Sequence, residues 1–129
     1  MTTNENELRA AAGEPAVDFD QLRAASGEDA NFLQDLAKLY FEQAKEIMAG
    51  LGAALEKPSA ADVDYLAHKL AGASLSCGMS AMVAPLRELE RRGRAGDLAG
   101  AADLMAQAAA NLEIVRARVQ EYLRSGKTA

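Results

Sequence analysis

The sequence predicts an all-α protein, an up-and-down antiparallel four-helix bundle with a short additional N-terminal helix. Half of the 129 residues are hydrophobic, yet aromatic residues make up only 5% and Trp is absent. Ala and Leu therefore supply most of the apolar surface, a composition that favours helices over strands. Apolar residues also recur at steps of three and four along several segments, which short stretches rich in Gly, Pro or capping residues separate. Four long helices with short connections typically form an antiparallel bundle.

The length of the chain suits one domain with one core. Residues 1–16 are polar and acidic without sustained apolar periodicity, and we interpret them as a flexible tail. Residues 17–124 form the predicted bundle domain, and residues 125–129 form a polar C-terminal tail.

The first two helices follow from apolar spacing. Phe19, Leu22 and Ala25 predict a short helix that ends at the Ser26-Gly27 turn. A long amphipathic helix follows and ends at residues 56–58, where Pro58 cannot continue it. Its apolar positions are Phe32, Leu33, Leu36, Leu39, Tyr40, Ala44, Ile47, Met48 and Leu51.

Capping residues delimit the third and fourth helices. Ser59, followed three residues later by Asp62, predicts the start of the third helix. We expect this helix to end near Gly78 and Ser80 to cap the fourth. Pro85 predicts that the fourth helix starts late or bends, since an interior proline removes a backbone hydrogen bond.

The last helix is predicted after a turn at residues 92–96, which contains two glycines. Asp97 is its expected N-cap, and the helix should run to about Arg124. Its apolar positions are Leu98, Ala101, Leu104, Met105, Ala108, Leu112, Val115, Val119 and Leu123.

Charge and composition exclude several classes of function. The net charge is −5 and the basic residues are scattered, so the sequence shows no electrostatic footprint for nucleic acid. No apolar run approaches the roughly 20 residues that span a bilayer, and the N-terminus does not resemble a signal peptide. The single cysteine, Cys77, agrees with a reducing compartment. We therefore expect a cytoplasmic protein without a membrane partner.

The single histidine, His68, lies on the third predicted helix. At about 100° per residue, one side of this helix collects a core-facing stripe, and His68 lies nearly opposite it. The stripe consists of Val63, Leu66, Ala67, Leu70, Ser74 and Cys77. The imidazole is therefore predicted to face solvent, although a lone histidine is more often a hydrogen-bonded structural residue.

The outer face around His68 carries small and apolar residues where charged ones are usual. Its members are Ala61, Asp64, Ala71, Gly72, Leu75 and Met79. Gly72 in a helix interior costs roughly 1 kcal/mol relative to Ala, which suggests that a side chain there would obstruct an approaching molecule. This pattern predicts a docking patch around a nucleophile, with Asp64, Leu75 and Met79 in contact with the partner. Alternatively, Leu75 and Met79 pack against one end of the bundle and Gly72 is incidental.

Residues 67–74, which read Ala-His-Lys-Leu-Ala-Gly-Ala-Ser, are followed by Gly78 ten residues after the histidine. This segment resembles the motif around the phosphoaccepting histidine of histidine-phosphotransfer (HPt) domains. The resemblance extends from Val17 to Tyr122. Residues 18–36 look like the opening of the family, and residues 89–98 look like its fourth helix and the following turn.

The resemblance implies roles for individual residues. His68 would accept the phosphoryl group, and Gly72 would give the partner room to approach. Lys69 and Ala71 would be the other neighbours of the phosphoryl group. Two further residues, Glu90 and Arg94, match surface positions of the family near the histidine and join the expected docking residues.

The resemblance also implies a phosphorelay. The phosphoryl group would pass through phospho-His68 between receiver-domain aspartates, from a hybrid histidine kinase to a response regulator. Mg²⁺ is expected in the receiver partner, and no cofactor or metal of the chain's own is implied. The sequence contains no glycine-rich phosphate loop, so we expect no autonomous kinase activity. A bundle closed by its own four helices is expected to be a monomer.

One position departs from the family pattern. Family members commonly carry a lysine three residues after the histidine, where this sequence has Ala71. Such a lysine would stabilise the phosphoryl charge. The sequence leaves its replacement open. The candidates are Lys69, Arg87, Arg91 and Arg94, each of which is equally well explained as a solvated charge.

Three other functions remain to be weighed. A non-phosphorylated adaptor that binds and regulates a receiver domain or kinase is supported mainly by Ala71. A metal-binding bundle would need several inward His and Glu residues, which this sequence does not provide. A redox role for Cys77 conflicts with its position on the core stripe.

Overall fold

The computed structural model describes residues 15–125, and nearly all of the two predicted tails lies outside them. The described residues form five α-helices, one 3₁₀ helix and no strand, which confirms the all-α prediction. The elements are α1 (Phe19–Ala25), α2 (Ala30–Glu56), α3 (Ala60–Ser76), the 3₁₀ helix (Ser80–Met82), α4 (Val83–Ala95) and α5 (Ala101–Arg124).

The first three helices begin at polar capping side chains. Oxygens of Asp18, Asp29 and Ser59 accept the backbone N–H three residues further on, over 3.1, 3.0 and 3.2 Å. Each bond satisfies one of the N–H groups that a helix start leaves without a partner. The predicted cap at Ser59 is therefore confirmed.

The connection between α3 and α4 differs from the prediction. Helix α3 already ends at Ser76, and a 3₁₀ helix precedes α4. The prediction that Ser80 caps the fourth helix is wrong, because its hydroxyl is directed back to the Gly78 carbonyl. Pro85 is the third residue of α4, where the helix has no hydrogen bond to lose.

The start of the last helix also differs. The predicted turn at residues 92–96 is largely helical, and α4 ends only where Gly96 adopts a φ of +72°. Asp97 is not the N-cap of α5, since Gly100 occupies that position. The Asp97 carboxylate instead accepts the backbone N–H of Ala99 within the turn, over 3.1 Å.

Four helices surround the core. Helix α3 packs between α2 and α4, and α5 closes the ring against both α4 and α2. The largest buried side chains come from every one of these elements and from α1. They include Leu22, Leu33, Leu51, Leu70, Met79, Met82, Leu86, Leu89 and Val115. None of the helices in residues 15–125 has the length and hydropathy needed to cross a membrane.

Helix α1 lies across the connection that follows α3. The N–H of Asp18 donates to the Gly78 carbonyl over 2.7 Å. Gly78 has a φ of +77°, and a Cβ there would lie 2.3 Å from the Asp18 carbonyl oxygen. Glycine is thus required twice at this position, for its backbone conformation and for the close approach. On its other side, α1 stacks Phe19 on Tyr122 of α5 with ring centroids 4.1 Å apart.

Candidate functional site

Helix α3 presents His68 to solvent, as predicted from its periodicity. The His68 side chain is 64% exposed, whereas the stripe residues Val63, Ala67 and Leu70 have no exposed surface. Ser74 secures the stripe, because its hydroxyl donates to the Leu70 carbonyl over 2.7 Å and accepts from the Tyr40 hydroxyl of α2 over 2.6 Å. Burial raises the pKa of Tyr40 well above its usual value, so this hydroxyl remains a neutral donor. Helix α3 is therefore held in one rotation about its axis.

Gly93 brings α4 directly against α3. A Cβ at Gly93 would lie 2.5 Å from the Asp64 nitrogen and 2.8 Å from the Ala60 carbonyl oxygen. Only a residue without a side chain allows the two backbones to approach this closely. The approach places the preceding turn of α4, which carries Glu90, beside the turn of α3 that carries His68.

Glu90 forms the centre of a charged cluster beneath the imidazole. Its Oε2 lies 2.7 Å from His68 Nδ1 and accepts from Arg94 over 2.8 Å, while Oε1 accepts from Arg87 over 2.8 Å. The residue is only 7% exposed. Burial alone would raise the pKa of Glu90, but the hydrogen bonds from Arg87 and His68 outweigh it and place that pKa below its usual value.

An ionised Glu90 determines which nitrogen of His68 carries the proton. A carboxylate accepts hydrogen bonds and donates none, so Nδ1 must be the N–H donor in the 2.7 Å contact. In a neutral imidazole the other nitrogen then holds a free lone pair. Nε2 is thus the nitrogen with the free lone pair, and it belongs to a ring that is mostly exposed.

Comparison with known proteins agrees with this geometry. The model of the Hpt domain family matches residues 35–121, more than half of the chain. The chain belongs to the Hpt domain family. Histidine phosphotransfer in two-component signalling is the function associated with this family, whose members interact with receiver domains.

A solved structure shares the fold of this Hpt domain. The crystal structure of histidine-containing phosphotransfer protein B (HptB) from Pseudomonas aeruginosa PAO1 superposes with a TM-score of 0.80. The two chains are 24% identical, and the match covers 86% of this chain and 96% of HptB. No sequence among the curated proteins matches this chain.

The surface around His68 in the Hpt domain is open and partly apolar. A Cβ added at Gly72 would meet no atom within 4 Å. Leu75 is 50% exposed and Lys69 is exposed, as expected for this face. Tyr65, which was not predicted for this face, is 64% exposed. Its position three residues before His68 was the available signal, because residues at that spacing share a helix face.

Two of the predicted docking residues are buried. Met79 has no exposed surface, because α3 ends at Ser76 and the helical periodicity does not extend to residue 79. Its backbone N–H instead donates to the Ser74 carbonyl over 2.8 Å, and its side chain enters the core. Glu90 is the second, because it faces α3 one turn from the close contact at Gly93. Neither residue can belong to a docking surface.

The remaining predicted residues lie at the edges of the site. Ala71 was placed on the outer face by periodicity, but it has no exposed surface. Arg94 is 67% exposed, and besides Glu90 it contacts Asp64 over 3.4 Å. Asp64 is therefore half-buried in an ion pair with α4 and is only partly available to a partner.

The metal-binding and redox functions receive no support from the described residues. Within residues 15–125, no group of three or more His, Cys, Asp or Glu side chains lies close enough together to hold a metal ion. Cys77 is 8% exposed, and burial raises the pKa of its thiol. A neutral, buried thiol is a poor nucleophile.

Proposed function

We propose that this Hpt domain accepts a phosphoryl group on Nε2 of His68 from the aspartyl phosphate of one receiver domain and passes it to the aspartate of another. The observation that carries the proposal is the bond between His68 Nδ1 and the buried carboxylate of Glu90. It leaves Nε2 as the unprotonated nitrogen of an exposed ring. A donor kinase and an acceptor response regulator are the expected partners.

The proposed transfer conserves atoms and charge. The Nε2 lone pair attacks phosphorus, the new N–P bond forms, and the bond between phosphorus and the aspartyl oxygen breaks. The departing aspartate keeps the electron pair as a carboxylate. The imidazole keeps its Nδ1 proton and becomes a phosphorylated imidazolium. In the onward step, the carboxylate of the second receiver attacks and Nε2 recovers its lone pair.

Glu90 would act as a positioning residue in both directions. It holds the Nδ1 proton, fixes the rotation of the ring, and places a negative charge beside the imidazolium that forms during transfer. Because Arg87 and Arg94 already bind this carboxylate, it is oriented before the partner arrives. Preorganised groups of this kind do not need to reorganise during the reaction.

A receiver domain would dock on the face that contains His68. Tyr65 and Leu75 supply apolar contact area on either side of the histidine, and Gly72 leaves room between them. Lys69 and the outer part of Arg94 supply positive charge to that face. We propose that Mg²⁺ is brought by the receiver, which provides the metal and the in-line geometry of transfer, and that the Hpt domain needs no cofactor of its own.

We also propose the finer architecture that the sequence predicted, four long helices in up-and-down antiparallel order. It is supported by the short connections at residues 57–59 and 96–100 between helices that contact each other. A closed ring of four helices leaves no core face for a second copy, which supports a monomer. The receiver domains that we propose as partners support a cytoplasmic location for the protein.

One observation favours a second function. Ala71 occupies the position where the family commonly has a lysine, and without that cation a phosphoryl group on His68 is less well stabilised. A non-phosphorylated adaptor would keep the docking face and lose the chemistry. In this second function, the protein would bind receiver domains without accepting their phosphoryl group.

Transfer from phosphorylated receiver domains distinguishes the two functions. A panel of receivers is loaded with labelled phosphate and mixed with the wild type or with His68→Ala, and receiver binding is measured separately. We expect an acid-labile label on the wild type only, with receiver binding retained by both. Binding of receivers without label on the wild type would support the adaptor, and label on His68→Ala would place the phosphoryl group elsewhere.

A further inference from the structure

The phosphoryl group proposed for His68 needs a positive neighbour. Phosphoryl groups carry about two negative charges near neutral pH, and cations beside the oxygens are the main source of stabilisation in phosphoryl transfer. Ala71 supplies none. Two of the candidate cations from the sequence, Arg87 and Arg94, lie on α4 and bind the carboxylate of Glu90, which also binds His68.

The register of α3 against α4 separates these two arginines. Gly93 lies against Asp64, and Glu90 binds His68. Residue numbers therefore fall along α4 as they rise along α3. One turn further in the same direction, Arg87 comes level with Ala71. Ala71 has no exposed surface, as expected for a methyl group that a neighbouring helix covers.

The other three candidate cations do not lie level with Ala71. Arg94 is on the opposite side of the imidazole, where it also contacts Asp64, one turn before His68. Arg91 binds Glu88 over 2.5 Å and is 64% exposed. Lys69 points about 100° away from His68 around α3. Arg87 is thus the cation at the level where the family has its lysine.

We propose that the guanidinium of Arg87 binds the phosphoryl oxygens on His68 and replaces, from α4, the lysine that α3 lacks at position 71. The proposal rests on the proposed role of His68 as phosphoacceptor. In this proposal, the cation of Arg87 compensates for the lysine that is missing at position 71.

The geometry of the guanidinium suits this task. An arginine has five N–H donors in a planar fork, and the Nη1 of Arg87 uses one of them on Glu90 Oε1. The remaining donors can bind the phosphoryl group without breaking that bond. The side chain is 35% exposed, so its charge is partly shielded from water, and its bond to Glu90 orders it in advance. Arg87 makes and breaks no covalent bond in this role.

The test uses the full chain and a small phosphodonor. Phosphoramidate transfers its phosphoryl group to the imidazole, with the bond to its own nitrogen broken and ammonia released. Phosphohistidine is then observed by ³¹P NMR over a range of pH, which gives the pKa of the phosphorylated imidazole and the rate of hydrolysis of its N–P bond. The variants are Arg87→Gln, Arg87→Lys, Arg94→Gln and the double variant Arg87→Gln/Ala71→Lys. Arg91→Gln is the matched control, because it also removes an arginine from α4.

Loss of a bound cation raises the pKa of the phosphohistidine, because a nearby cation disfavours its protonated form. In Arg87→Gln we expect this pKa to rise by about half a unit or more, which is about a threefold change in the protonated fraction. We expect hydrolysis to accelerate accordingly. Arg87→Lys should retain most of the effect. The double variant should recover it, since the lysine introduced at position 71 then enters the space that Arg87 has left. Arg91→Gln should match the wild type.

A second comparison separates direct binding from an effect through Glu90. If Arg87 only holds Glu90 in place, Arg87→Gln has no further effect on the pKa of the phosphohistidine in a Glu90→Gln background. If Arg87 binds the phosphoryl group, the rise persists there. An unchanged pKa in Arg87→Gln would overturn the proposal. So would the same rise in Arg94→Gln together with no recovery in the double variant.

Failure of the proposed function gives a different result. If the wild type gains no phosphohistidine signal from phosphoramidate or from any receiver, His68 is not the phosphoacceptor. If the wild type is labelled normally and the Arg87 variants behave as it does, only the role of Arg87 is lost.

Discussion

Gly72 and Gly93 lie on adjacent helices and have opposite surroundings. A Cβ at Gly93 would be 2.5 Å from the backbone of α3, whereas a Cβ at Gly72 would meet nothing within 4 Å. Both glycines weaken their helices by a similar amount. Gly93 is explained by the packing of α4 on α3, but nothing inside the described residues explains Gly72. The contrast is consistent with the proposal that Gly72 leaves room for a receiver domain on the face of His68.

The largest effect is expected at Gly93. We expect Gly93→Ala to lower the free energy of unfolding by about 3 kcal/mol, because the backbones of α3 and α4 must separate and the gain in helix propensity does not offset this. Denaturant unfolding followed by circular dichroism measures the change. A variant as stable as the wild type would show that the close contact is not required.

Gly72→Ala should act in the opposite direction. The added methyl group enters open space and removes the backbone entropy of glycine, so the free energy of unfolding should rise by about 0.5–1 kcal/mol. The same denaturant experiment serves, with Gly93→Ala as the matched comparison. Destabilisation by Gly72→Ala would mean that this glycine, too, has a packing role.

Tyr65 sharpens the comparison at the docking face. Tyr65→Ala removes a 64% exposed ring, so the free energy of unfolding should change by less than about 0.5 kcal/mol. Transfer from a receiver domain should nevertheless slow several-fold, while labelling by phosphoramidate should be unchanged. Wild-type rates with both donors would show that Tyr65 lies outside the contact area.

The smallest effect concerns the pH dependence of the buried side of the site. The pKa of Glu90 is lower in the folded protein than its usual value, so its stabilising contribution is complete above the ordinary carboxyl pKa of about 4.3 and disappears as the pH falls through the folded value. Relative to Glu90→Gln, the wild type should therefore lose stability on acidification below about pH 4.3. Unfolding experiments from neutral pH down to about one unit below that carboxyl pKa measure the difference in stability between the wild type and Glu90→Gln. A stability difference that does not change with pH would contradict the charged cluster.

Local sequence signals were sufficient for much of this fold. Apolar periodicity predicted the helices and the exposure of His68, and the capping pattern predicted Ser59, because these features depend on residues within a few turns. The burial of Met79 could not be predicted in this way, since it depends on where α3 ends and on the path of the chain into the 3₁₀ helix. The prediction that Asp97 is the N-cap of the last helix failed for a related reason, because Gly96 and Gly100 determine the path of the turn.

The inner half of the site depends on contacts between helices. The position of Glu90 beneath His68 follows from the close approach at Gly93, which joins segments about thirty residues apart in sequence. The coverage of Ala71 has the same origin. Periodicity gives the direction of a residue from its own helix axis, but it does not show which neighbour occupies that direction.

The most direct test of the docking face is transfer to Gly72→Gln from two donors, a phosphorylated receiver domain and phosphoramidate. We predict that this variant folds and is labelled on His68 by phosphoramidate at the wild-type rate. It should accept phosphoryl from the receiver at least about tenfold more slowly, an increase of about 1.4 kcal/mol in the barrier. This would show that the open space at Gly72 is needed by the partner and not by the chemistry or the fold. Receiver transfer at the wild-type rate would contradict the assignment of this face as the docking surface.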